Sequence, residues 1–107
     1  MTADASDVRV TVQNQIAEIA LSRAPLNAFS IAFLDNILTA LKEAGDDPDT
    51  RAIIIRSDLP NVFSAGLDLD LIIDQPAATV RAFLQRLYID LYDVQYKMPK
   101  PTIAAIK

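Results

Sequence analysis

The sequence predicts an α/β fold with parallel crossovers, and three observations carry that reading. Ala52-Ile53-Ile54-Ile55 is a continuous apolar run, rich in β-branched residues, of the kind found in strands covered on both faces. Leu34, Ile37, Leu38 and Leu41 recur at helical spacing before it, and Val80, Phe83, Leu84, Leu87, Leu91 and Val94 do so after it. The order of elements is strand, strand, helix, strand, helices, strand.

Val8-Arg9-Val10-Thr11-Val12 alternates apolar and polar residues and reads as a half-buried strand. Gln13-Asn14-Gln15 supplies a turn, and Ile16 to Leu21 is the second arm of a hairpin. Arg23 to Ala28, with Pro25 and Asn27, reads as an irregular loop. Ser30 is the expected N-cap of the first helix, which should end near Gly45. Asp46-Asp47-Pro48-Asp49 then makes a solvated turn. The strand Arg51–Arg56 follows, flanked in the predicted sheet by Ile16–Leu21 and Thr102–Ile106, with the helices outside. Pro76 divides a short helical segment from a long one. Tyr88, Tyr92 and Tyr96 share one face of the long helix, as amphipathic packing or a subunit contact. Pro99 and Pro101 end it, and Thr102 to Ile106 begins another buried strand.

A chain of 107 residues suits one small domain or half of a larger one, and residues 1–7 read as a flexible N-terminus. With no Cys and no His, the usual zinc and nucleophile–imidazole sites are excluded. A formal net charge of −4, with the basic residues scattered, argues against nucleic acid as a partner. No apolar run approaches the ~20 residues of a membrane span. Neither a secretory nor a transit signature opens the chain, so the expected location is the cytoplasm.

The stretch with the most chemical content is Val62 to Leu69, where a strand and a polar loop lead into a tight glycine turn and a helix start. Such a turn can aim backbone N–H groups at one point, where they would stabilise negative charge developing on an oxygen. An ordinary strand-to-helix turn, with Gly66 for geometry and Asp68 as N-cap, has the same spacing. Asp68, Asp70 and Asp74 invite a metal reading, but acidic residues at a helix start serve more often as dipole partners and solvated surface.

Phe63-Ser64-Ala65-Gly66-Leu67-Asp68-Leu69 resembles the first signature of the crotonase (enoyl-CoA hydratase/isomerase) superfamily, F-[SACT]-A-G-x-D-[LI]. Leu21 to Ser30 is similar to the family's L-x-R-P…N-A-[LF]-[ST] segment, and Asp46 to Ile55 to its D-x-x-[VT]-R-[AV]-[IV]-[IV]-[IL] segment. Lys100 to Ile106 is similar to its K-P-x-I-A-A-[IV] strand. The four matches occur in the family's order. The resemblance implies the N-terminal part of a spiral of ββα units. It implies that the backbone N–H of Leu67 is one donor of an oxyanion hole for an acyl-CoA thioester. Ala65, Gly66, Leu67, Asp68 and Leu69 would contact the CoA portion, and Ala24, Pro25 and Leu26 would form the other wall.

Coenzyme A would enter as part of the substrate, with no separate cofactor and no metal. The family's second donor segment and its catalytic glutamates have no counterpart in these residues. Glu18 and Glu43 are the only glutamates, and both read as solvated surface. Two functions follow. One is the acyl-CoA-binding half of an enzyme that shifts or hydrates a double bond in fatty-acid oxidation, with the Leu of Ala-Gly-Leu-Asp leaning towards isomerase. The other is a stand-alone, non-catalytic acyl-CoA-binding or self-assembling domain. By resemblance the protein self-associates as a trimer or hexamer.

Overall fold

The computed structural model describes residues 7–106. Most of the segment read as a flexible N-terminus therefore lies outside the described residues. Four strands, β1 (Val8–Gln13), β2 (Ile16–Leu21), β3 (Ala52–Ser57) and β4 (Thr102–Ala104), form one sheet in the order β1-β2-β3-β4. The first pair is antiparallel and the other two are parallel, so the expected crossovers are present. Helix α1 (Ile31–Asp46) links β2 to β3. The path from β3 to β4 holds the short α2 (Leu69–Ile72), then α3 (Ala77–Gln85), a π-helical turn (Arg86–Asp90) and α4 (Leu91–Lys97) in continuous succession.

The β1–β2 hairpin turns on Asn14 and Gln15, with φ of 54° and 66°. Two successive left-handed residues give the turn the twist that antiparallel strands need. Ser30 caps α1 as expected, its Oγ accepting the Phe33 N–H at 3.0 Å. That cap positions the apolar stripe of α1 over β2 and β3. Ala17, Ile19, Leu21 and Ile53 point from the sheet into a core with Phe33, Ile37, Ala40, Leu41 and Ala44. Burying each large side chain contributes about 1.5–3 kcal/mol, so this interface is a substantial part of the fold's driving force.

Several expectations need correction. α1 ends at Asp46, close to Gly45 as expected, but the glycine lies inside the last turn rather than after it. A Cβ there would meet the Met98 side chain at 2.9 Å, so the glycine makes room for the start of the segment after α4. The end of α1 is held instead by Lys100, whose Nζ donates to the carbonyls of Ala44 at 3.0 Å and Asp47 at 2.6 Å. A cation satisfying terminal carbonyls is favourable on both hydrogen-bonding and dipole grounds. Replacing it, Lys100→Met, is expected to cost about 1–2 kcal/mol in urea denaturation. Asp47 organises the turn that follows, its carboxylate accepting from the Asp49 N–H and the Thr50 hydroxyl.

β3 is covered on one face only. Ile53 is fully buried, but Ile54, on the opposite face, is half-buried. That second face carries the ion pair of Arg56 with Glu18, and Arg56 and Arg9 both pair with Asp58. Glu18 is thus a paired residue of the sheet surface, while Glu43 is exposed as expected. β1 is more exposed than its alternation suggested, with Val10 at 43% and Val12 at 50%, because it is an edge strand, and its Val8 packs against the core. β4 is not a buried strand either. It is the opposite edge, and Ile103 is 53% exposed.

Candidate functional site

The glycine turn is built by a second segment lying alongside it. Asn27 is fully buried and holds a positive φ of 52°, a conformation asparagine tolerates better than most residues. Its Nδ2 donates to Ser57 Oγ at 2.8 Å, at the end of β3, and to the Phe63 carbonyl at 2.9 Å. Its Oδ1 accepts the Arg23 N–H at 2.7 Å. The Asn27 carbonyl accepts from Ser64 Oγ at 2.8 Å, and that same Oγ accepts the Gly66 N–H at 3.1 Å. One side chain therefore fixes the loop at 23–27, the end of the strand and the start of the turn.

Backbone bonds complete the junction. Ala65 N–H donates to Leu26 O at 2.9 Å, Phe29 N–H to Gly66 O at 2.7 Å, and Asp68 N–H to Phe29 O at 3.0 Å. These place Phe29 opposite Leu67 in a short parallel bridge. In a parallel pair the bonded residue engages the two neighbours of the residue facing it, whose own N–H and C=O point the other way. The Leu67 N–H is accordingly turned away from Phe29, and it has no acceptor among the described residues. Gly66 has φ +87°, and nothing lies within 4 Å of where its Cβ would be. The result is a backbone donor without a protein acceptor among the described residues, next to a glycine whose positive φ suits no other residue as well.

All eight residues singled out from the sequence come together here. Ala24, Pro25 and Leu26, with the Ala24–Pro25 peptide cis, form one exposed lip. Ala65 to Leu69 form the other. Asp68 does not cap α2, as its side chain makes no cap hydrogen bond. It pairs instead with Arg23 at 3.1 Å, and Arg23 also donates to the Ala28 carbonyl at 2.6 Å. The ion pair ties the two lips together. With four residues, α2 brings little dipole to the turn. Asp70 and Asp74 are exposed, and no three His, Cys, Asp or Glu side chains converge among the described residues. Sequence reading missed Asn27 as the hub. Its signal was the asparagine four residues after Arg23, inside the irregular loop.

The family model described as enoyl-CoA hydratase/isomerase matches residues 11–107. The chain belongs to the enoyl-CoA hydratase/isomerase family. Among relatives of this family, it is 32% identical over 80 residues to enoyl-CoA delta isomerase 1, mitochondrial, of Homo sapiens, covering 72% of this chain and 26% of that protein. It is 37% identical over 92 residues to enoyl-CoA hydratase domain-containing protein 2, mitochondrial, of Bos taurus, covering 85% and 31%. The solved enoyl-CoA hydratase of Thermoplasma volcanium GSS1 superposes with a TM-score of 0.85 at 28% identity, covering 94% of this chain and 40% of that one. The chain thus spans between about a quarter and a third of the length of these curated relatives. Its α/β arrangement is that of the crotonase-fold structures. This family member also has a groove of about 400 Å³ between the ends of α1 and α4, lined by Lys42, Gly45, Val94 and Met98 among others, which shares no residue with the turn.

Proposed function

We propose that the turn at Ala65–Leu69, with the lip at Ala24–Leu26, binds the CoA portion of an acyl-CoA thioester, and that the Leu67 N–H donates to the thioester carbonyl. The observation that carries this reading is the Leu67 amide turned away from Phe29 beside the open space at Gly66. Removing a proton next to a thioester leaves negative charge on the carbonyl oxygen, and a preorganised amide donor stabilises that charge. The names of the relatives, an isomerase and a hydratase of enoyl-CoA, support the same substrate class. The whole protein would shift or hydrate the double bond of an enoyl-CoA in fatty-acid oxidation. In this reading the described residues supply part of its CoA-binding site and one donor of the oxyanion hole.

Calorimetric titration with acyl-CoAs of increasing chain length tests the reading. Saturable heat with butyryl-CoA or longer thioesters supports it, and no heat with any of them at millimolar concentration refutes it.

We also infer self-association. Tyr88, Tyr92 and Tyr96 are each at least 60% exposed, Tyr92 and Tyr96 stack at 5.5 Å, and the β4 edge is open. Exposed aromatic faces and open edges favour association. Sedimentation of the 107-residue chain is expected to give a mass above the monomer's 11.7 kDa. A compact, concentration-independent monomer would contradict this.

A further inference from the structure

We propose that Ser64, held by Asn27, is the positioning residue that sets the direction of the Leu67 amide. Two bonds through one hydroxyl carry the argument. Ser64 Oγ donates to the Asn27 carbonyl at 2.8 Å and accepts the Gly66 N–H at 3.1 Å, so it spans the gap between the buried loop and the glycine turn. Asn27 cannot shift to follow a moving turn, because its side chain is already committed to Arg23, Ser57 and Phe63 inside the fold. The peptide plane between Gly66 and Leu67 contains both the Gly66 carbonyl, bonded to Phe29, and the Leu67 N–H. Fixing the Gly66 N–H on one side of that glycine and its carbonyl on the other removes its two soft dihedrals. Glycine would otherwise sample a wide φ/ψ range, so the hydroxyl converts a permissive residue into a directed donor.

The role rests on the proposed binding of a thioester carbonyl at Leu67, and the test separates the two. Amide hydrogen exchange of the ¹⁵N-labelled chain is compared for wild type, Ser64→Ala and Ser64→Thr, without ligand. Ser64→Ala is expected to speed exchange of the Gly66 amide about tenfold, the scale of one net hydrogen bond, while Ile19 and Ile53 in the core keep their protection. Ser64→Thr, which keeps the hydroxyl, restores it. Each protein is then titrated with butyryl-CoA and with butyl-CoA, a thioether lacking the carbonyl. In wild type and Ser64→Thr the thioester binds more tightly than the thioether, and in Ser64→Ala that ratio falls about three- to tenfold.

Unchanged Gly66 exchange in Ser64→Ala overturns the positioning role, as does loss of protection spread equally over the core. A wild-type chain that binds thioester and thioether alike overturns the carbonyl contact, yet leaves the exchange comparison to decide the hydroxyl's part in the turn.

Discussion

The 107-residue chain, assayed alone, is expected to turn over an enoyl-CoA at least about 10⁴-fold more slowly than a chain that adds a second amide donor and a positioned carboxylate. The two added parts set that figure. Loss of one oxyanion donor typically costs about 10²–10³ in rate, and loss of general acid–base catalysis about 10²–10⁴. Among the described residues, no carboxylate near the turn stands in for them. Asp68 is tied to Arg23, Asp70 and Asp74 face solvent, Glu18 is paired with Arg56 on the sheet, and Glu43 is exposed on α1. The check is a stopped-time assay of hydration and double-bond shift with purified chain. Robust turnover that disappears in Asp68→Asn or Glu43→Gln would show that a working base lies in this part of the fold.

Gly66→Val is expected to abolish acyl-CoA binding while leaving the core folded. At φ +87° a side chain is strained whatever the space around it, by roughly 1–2 kcal/mol for an ordinary residue and more for a β-branched one. The chain relieves that strain by rotating the turn, which moves the Gly66 carbonyl off Phe29 and redirects the Leu67 N–H. Any valine that did hold the native φ would place its methyl groups in the open space beside the donor. Both routes remove the site, and neither adds atoms to Leu41 or Ile53 in the core. Calorimetry should therefore show no binding by Gly66→Val, with a far-ultraviolet circular dichroism spectrum like wild type. Undiminished affinity would mean that the ligand does not approach this turn.

How much of this was legible in the sequence depended on the range of the interaction. The Ser30 cap, the hairpin and the parallel placement of β3 between β2 and β4 follow from local patterns and were expected. So was the turn, because a glycine between a strand and a helix start has few other uses. What the pattern missed was set by partners distant in the chain. Asp68 looked like a cap because its partner Arg23 lies 45 residues away. Asn27 looked like an ordinary loop residue because Ser57 and Phe63 lie 30 and 36 residues away. The contact of Gly45 with Met98, which needs its missing side chain, was not legible because Met98 follows β3 and all the later helices in the chain. Burial of β4 was overestimated for a related reason: an apolar strand shows its hydrophobicity in sequence, but not whether anything covers it.

The account turns on the contact between the Leu67 amide and a thioester carbonyl, and difference infrared spectroscopy with butyryl-CoA labelled with ¹³C at the carbonyl reads that contact directly. A hydrogen bond from a fixed donor weakens the C=O bond, so the labelled band should move to lower frequency when the chain binds, and stay at its solution position when Gly66→Val is added instead. A bound thioester whose carbonyl band remains at the solution frequency in the wild-type chain would contradict it.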